Sequence, residues 1–391
     1  MTRLVLRSGH DRRVRSGHPW IFSNEIDHIE PESAAGEAVE VFSSRGDFLG
    51  TAYTNPHSLI AARLLSRRRE SIDTPDFFRQ RIQAALDHRL GVYPDETALR
   101  IVHGEGDELP GLVVDRYGDV LSIQLLTLGM EQRRPAILAA LRETFRPRAI
   151  VARNDVAVRE LEGLPQQVEL LEGELPAELI VTEHGLKSRV DILGGQKTGH
   201  FLDQKENHLA LKGRVAGRRV LDLFCYSGNW SLHAAHFGAK EVIGVDISAG
   251  AVELARDNAR LNGFGSTCSF VKADVFDLLR EMGRDRQRFG AIVLDPPAFV
   301  KNRKKLKEAI KGYLTVNRRA MELLEPGGTL FTCSCSYHMD RETFVDTLRQ
   351  AGQQAGRTLR LLEMRGQAYD HPVLLACPET EYLKCAVLQV L

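Results

Sequence analysis

The stretch VLDLFCYSGNWS, residues 220–231, decides how the C-terminal half of the chain folds. A short apolar run enters a loop with one glycine, Gly228, and a helical pattern follows. A nicotinamide-type fingerprint needs GxGxxG, because pyrophosphate must press against bare backbone. Only one of those glycines is present, so a cofactor without pyrophosphate fits better, and S-adenosylmethionine (SAM) is the common one. From residue 215 onward the chain alternates strand and helix. RRVLDLF, EVIGVD, CSFVKAD, AIVLDPP and TLFTCS are the nearly continuous apolar runs that parallel strands buried on both faces require. AGAVELARDNARLNG reads as a helix between them, closed by Asn262-Gly263. The pattern predicts a doubly wound α/β domain whose ligands sit beyond the carboxyl ends of its strands.

Those strand ends carry acids. Asp246 closes the second run, where a carboxylate accepts hydrogen bonds from a ribose diol. Asp274 closes the third, in reach of an adenine amino group, and Asp295 opens LDPPAF at the end of the fourth. One strand-end Asp is commonly turn or cap chemistry. Successive strands that all end this way point to a ligand.

At 391 residues the chain is long enough for two or three domains. Residues 1 to about 70 show short apolar runs between turn signals (RLVLR, AVEVFSS, DFLGTAYTN, LIAARLLS), the mark of a small barrel or sheet. A helix is predicted behind Thr74-Pro75, with Phe77, Phe78, Ile82, Ala85 and Leu86 at helical spacing. Strand-like runs around a Tyr-Gly-Asp turn, a helix near 131–145 and a hairpin turning at His184-Gly185 follow, so 71–190 reads as a mixed α+β domain and 191–391 as the doubly wound one.

Hydrophobic residues at 43% and charged residues at 27% are ordinary globular values, which exclude wholesale disorder and a fibrous repeat. No apolar run approaches the roughly 20 residues of a membrane span, and the N-terminus has no signal-peptide pattern. We therefore expect a cytosolic protein. Six scattered cysteines make no disulfide framework or zinc set, and the histidines show no metal-ligand spacing, so no metal is expected. With 52 basic against 52 acidic residues, affinity for nucleic acid must come from local patches. Arg3, Arg7, Arg12, Arg13 and Arg15 crowd the N-terminus, Arg67 to Arg69 run together, and KNRKKLK occupies 301–307. Each alone suits a solvated face; several in a neutral protein favour a polyanion.

Taken together, the motifs resemble class I SAM-dependent methyltransferases, and more closely the RlmI-like family of 23S rRNA cytosine-5 methyltransferases. GHPWIF (17–22) resembles the start of that family's PUA RNA-binding domain. GDELPGLVVDRYG and NDVAVRELEGL resemble its central domain, and QKTGHFLDQKENH (196–208) the segment before its catalytic core. DPPAFVKNRKKL and TCSCS complete the order. The resemblance implies cofactor contacts at Phe201, Gln204, Asp222, Phe224, Tyr226, Gly228, Asp246, Ile247, Asp274, Val275 and Asp295. It also implies 23S rRNA or a large-subunit precursor as partner, gripped by Arg12, Arg13, Arg15, Lys301, Arg303, Lys304 and Lys305, and a homodimer.

LFTCSCSYHMD (330–340) then acquires a meaning. Carbon 5 of a pyrimidine is a poor nucleophile, and addition of a thiolate to carbon 6 pushes electron density onto it. The resemblance places that thiol at Cys335, with Cys333 a small core or near-site residue; alternation along an extended segment would keep both on one side. Forming a thiolate from a thiol of pKa about 8.5 costs roughly 2 kcal/mol at neutral pH, so a helper is expected. Asp295 is the natural partner for the base, on a loop that two prolines stiffen. A base for the carbon 5 proton is left open among Asp295, Tyr337, His338 and water. Rival readings are methylation of uracil carbon 5 or an adenine amino group, and an RNA-binding assembly factor without chemistry. Adenine amino-methyltransferases place an aromatic directly after the second proline, where this chain has Ala298 before Phe299.

Overall fold

The computed structural model describes residues 2–299 and 306–391. Lys301, Arg303, Lys304 and Lys305 of the expected RNA contacts lie outside the described residues. The chain forms two compact units. One comprises Met1–Val181, Val190–Leu202 and Tyr369–Thr380, the other Thr182–Arg189, Asp203–Ala368 and Glu381–Leu391.

In the first unit the four N-terminal runs are strands, joined by two others in a six-stranded sheet. Its order is Trp20–Phe22, Ile60–Ser66, Phe48–Thr54, Ala38–Phe42, Thr2–Leu6, Ile26–Glu30. Leu4, Leu6, Val39, Val41, Ala52 and Leu64 pack its interior. The predicted helix spans Pro75–Val92, and the Thr74 hydroxyl caps it by accepting from the Phe77 amide at 3.3 Å. Phe77, Phe78, Ile82, Ala85 and Leu86 sink into a core shared with Ile101, Ile123 and Ile137. At roughly 1.5–3 kcal/mol for each large side chain, that burial fixes the helix against its sheet. This second sheet has five strands, ordered Val168–Gly173, Ala149–Arg153, Val120–Leu125, Leu112–Tyr117, Ala98–His103.

A hairpin of Ile180–Glu183 and Leu186–Arg189 turns where the sequence indicates, with His184 at φ 48° and Gly185 at φ 82°. Two consecutive left-handed residues give the turn whose twist matches paired strands.

The second unit is a seven-stranded sheet, ordered Cys268–Lys272, Glu241–Asp246, Arg219–Leu223, Phe289–Leu294, Leu324–Ser334, Lys384–Val390, Leu359–Arg365. The first five are parallel and Lys384–Val390 runs antiparallel to both neighbours. Strand residues alternate between two cores. Val220, Val242, Ala291, Val293 and Phe331 meet the helices Asn229–His236 and Ala249–Leu261. Leu221, Val245, Ile292, Leu294 and Leu330 meet Val275–Arg284, Leu306–Leu323 and Arg341–Gln354. Every residue of Phe289–Leu294 is buried, which explains its unbroken apolar sequence. The connections from Arg219–Leu223 and from Phe289–Leu294 lead away on opposite sides, and at such a switch point the crevice beyond the strand ends opens. No described helix is long and apolar enough to cross a membrane.

Candidate active site

The loop after Arg219–Leu223 bends sharply: Phe224, Tyr226 and Gly228 have φ of 64°, 46° and 86°. Left-handed backbone costs an ordinary residue about 1–2 kcal/mol, so the surroundings must impose it twice. Three hydrogen bonds do so. The Cys225 amide donates to the Val245 carbonyl at 3.0 Å, the Tyr226 amide to Asp246 Oδ2 at 3.0 Å, and Asn258 Nδ2 to the Ser227 carbonyl at 3.0 Å. Gly228 has a second constraint besides its φ, because a Cβ there would lie 3.1 Å from Ala255 Cβ and 3.2 Å from the Phe270 ring.

Asp246 thus joins two loops, since its Oδ1 also accepts from the Ser248 amide at 2.9 Å. Beside it Ile247 is 66% exposed, unusual for a large apolar side chain. Asp274 is exposed and caps the helix Val275–Arg284, its Oδ1 accepting from Phe276 and Asp277 amides at 2.8 and 3.2 Å. Val275 turns its side chain into the core, and its backbone amide is the first of that helix. Asp222 is fully buried and accepts from Ser231 Oγ at 2.6 Å, tying the strand before the loop to the helix after it. Its other oxygen is buried without a partner, and burial raises its carboxyl to about 7. Phe201 belongs to the first unit, where the Lys197 ammonium lies 4.3 Å from its ring centroid.

The Asp-Pro-Pro loop faces this one. Asp295 Oδ2 accepts from Gln204 Nε2 at 2.9 Å and from Trp230 Nε1 at 3.2 Å, while Asn207 Nδ2 holds the Gln204 carbonyl oxygen at 2.7 Å. Phe299 lies with its ring centroid 4.8 Å from that of Tyr313.

The thiols divide clearly. Cys225, Cys268, Cys333, Cys377 and Cys385 are buried, and Cys335 alone of the six is partly exposed. Cys333 stands opposite Cys385 in the sheet, and burial pushes its thiol far up. Alternation predicts both thiols of the CSC run on one side, but the strand stops at Ser334 and their surroundings differ: Cys333 is core and Cys335 begins a corner. Cys335 Sγ lies 4.0 Å from the Pro296 carbonyl, against the Asp-Pro-Pro loop.

Sequence reasoning missed Trp230, Asn207 and Lys384. The last is the most legible afterwards: a lysine opening the apolar strand Lys384–Val390, 7% exposed, with Nζ donating to the Ser336 and Tyr382 carbonyls at 2.8 and 2.9 Å.

In the first unit, Arg12 is exposed, Arg13 pairs with Glu25 at 2.8 Å and stacks over Phe22, and Arg15 bonds Asp11 and Asp47. Two of the three expected RNA contacts are therefore already engaged. Sequence spacing also hid two groups able to gather a metal ion, His18 with Cys377 and Glu379, and Glu183 with His208 and His233. In the second, His208 Nδ1 is 2.7 Å from Glu183, and burial lowers His233 to about 3.

A kinked loop with a single glycine, a strand-end carboxylate, an exposed isoleucine beside it and no second glycine for a pyrophosphate suit an adenosyl group, so the fold and site define a SAM-dependent methyltransferase. The S-adenosylmethionine-dependent methyltransferase family matches residues 99–362, and a PUA-like domain matches 4–67. The chain belongs to that methyltransferase family and, within it, to the Ribosomal RNA large subunit methyltransferase I group. It is 41% identical to Ribosomal RNA large subunit methyltransferase I of Klebsiella pneumoniae (strain 342), over 98% of this chain and 96% of that one. It is likewise 41% identical to the protein of the same name from Vibrio cholerae O395, over 99% of both. Among solved structures, a methyltransferase complexed with SAH aligns over the whole of both chains with a TM-score of 0.86 at 24% identity. A SAM-dependent methyltransferase from Streptococcus mutans does so with 0.84, also at 24% identity. These two share the fold.

Proposed function

We propose that this enzyme methylates carbon 5 of a cytosine in large-subunit rRNA, the 23S molecule or its precursor, through a covalent adduct on Cys335. One observation carries the reading. Of six thiols, the one that is partly exposed lies at the carboxyl end of the sheet, against the Asp-Pro-Pro loop. SAM, when bound, supplies an electrophilic methyl group.

In this reading the protein's own part is covalent. Cys335 Sγ, as thiolate, bonds carbon 6, and the displaced electron pair moves to carbon 5, which then takes the methyl group. A base removes the carbon 5 proton, the electron pair of that C–H bond re-forms the C5–C6 double bond, and the carbon–sulfur bond breaks with its electrons on sulfur. Asp295, anchored by Gln204 and Trp230, accepts from the exocyclic amine, which cytosine has and uracil lacks. A base reaches such a site only when extruded from its stack. In this reading residues 1–70 grip RNA, with Arg12 the exposed cation of its trio, 71–190 form the central domain, and 191–391 carry the chemistry of a cytoplasmic homodimer.

The test is mass spectrometry of nucleosides from large-subunit rRNA after reaction with labelled SAM. Label in 5-methylcytidine, absent with Cys335→Ala, is the expected result. Label in 5-methyluridine or a methylated adenosine, or undiminished transfer by Cys335→Ala, overturns it.

A further inference from the structure

The thiolate that this reading demands needs a counter-charge. We propose that Lys384 is the positioning residue that holds Cys335 as a thiolate, by fixing the corner around it and setting an ammonium beside it. The inference rests on Cys335 being the nucleophile.

Lys384 brackets residue 335 on both sides. Across the antiparallel ladder it is the register partner of Ser334, and its Nζ donates to the carbonyl of Ser336 at 2.8 Å. The side chain is 7% exposed, in a strand that otherwise reads CAVLQV. A buried ammonium is costly unless a charge faces it. Its two hydrogen-bond partners are neutral carbonyls, and among the described residues no carboxylate stands within ion-pair distance of Nζ. An ammonium has three donors, so one remains beyond the two carbonyls.

The charges that act on Lys384 are, in order, those of Cys335, Glu381 and Asp340. Across Ser336 stands Tyr313, whose hydroxyl is 3.1 Å from Ser336 Oγ and whose phenol burial raises to about 12, so it stays neutral and adds no competing charge. Asp295 lies on the loop whose Pro296 carbonyl is 4.0 Å from Sγ. Burial lowers the Lys384 amine to about 8, so its support is present below that pH and fades above it. A deprotonated amine there can instead take the thiol proton directly, giving the same ion pair: the S–H bond breaks, an N–H bond forms, and the electron pair stays on sulfur.

A lysine that merely tied two carbonyls together would leave the thiol's acidity unchanged. Alkylation of Cys335 by iodoacetamide, followed from pH 5 to 10 by peptide mass spectrometry, reads that acidity without any methyl transfer. The expected midpoint in the wild-type enzyme lies at least one unit below the ordinary thiol value of about 8.5. Lys384→Met should raise it by a unit or more, which is about tenfold slower alkylation at pH 7, and Lys384→Arg should restore it. A wild-type midpoint near 8.5 overturns the proposal even if the variants fail to fold. So does an unshifted midpoint in a Lys384→Met protein that still binds SAM. Full methyl transfer by Cys335→Ala strikes the nucleophile reading instead, so the two failures are distinct.

Discussion

Trp230 Nε1 donates to Asp295 Oδ2 across 3.2 Å, and so links the helix after the glycine loop to the Asp-Pro-Pro loop. Gln204 meets the same oxygen from a third segment. The carboxylate read as facing the base is therefore aimed by groups on separate elements, and its direction depends on both.

Trp230→Phe keeps an aromatic ring in the core while removing the N–H together with the rest of the five-membered ring. A hydrogen bond to a charged group contributes about 1.5–3 kcal/mol, so kcat should fall roughly 10- to 100-fold while the melting temperature stays within a few degrees. Steady-state methyl transfer beside thermal melting checks this, and unchanged kcat would show that Asp295 needs no such support.

The two neighbouring thiols should behave in opposite ways. Cys333→Ala removes a buried sulfur beside Cys385 and should cost about 1 kcal/mol of stability while leaving methyl transfer within about threefold. Cys335→Ala should leave stability and SAM affinity unchanged and abolish transfer. Activity and denaturant melts on the pair decide it; a reversed pattern assigns the chemistry to Cys333.

Gly228→Ala adds a methyl group at φ 86° that meets Ala255 and Phe270. The strain, about 1–2 kcal/mol, falls on the loop read as the cofactor's. Calorimetric titration should show SAM binding weakened tenfold or more, and undiminished affinity would place the cofactor elsewhere.

Asp222 gives a pH signature. Burial raises its folded pKa to about 7 from 3.8, so the folded protein holds a proton that the unfolded chain releases. Stability should therefore decline as pH climbs from about 4 to about 7 and level off above, on the order of 4 kcal/mol at most. Asp222→Asn should remove that slope, matching the wild type near pH 4 and exceeding it at pH 8. Chemical denaturation at both values tests the sign; parallel curves would remove Asp222 as the source.

The doubly wound sheet was legible because strands buried on both faces must be apolar throughout, and Phe289–Leu294 is. The hairpin at His184-Gly185 and the helix behind Thr74 were legible because turns and caps are local chemistry. Within the candidate site, Asp246 and Gly228 could be read from their places after strands, and the structure joins their loops through the Tyr226 amide, whereas Cys335 rests on the resemblance of TCSCS. Asp274 could not be separated from a cap, which its carboxylate also is. Trp230 and Lys384 escaped because their partners lie 65 and 48 residues away in the chain. Nothing local in a Trp or a strand lysine names such a partner. The inequality of Cys333 and Cys335 also depended on a distant fact, the end of pairing at Ser334 opposite Lys384.

The insertion of Lys384–Val390 between two strands that precede it in the chain has a temporal consequence. During vectorial synthesis Leu324–Ser334 and Leu359–Arg365 leave the ribosome with no ladder between them, and each waits for the same later segment. The corner that carries Cys335 is therefore among the last parts of the enzyme to be completed. A nascent chain halted before that segment would already have its glycine loop and strand-end acids, with the corner around Cys335 still open on one side.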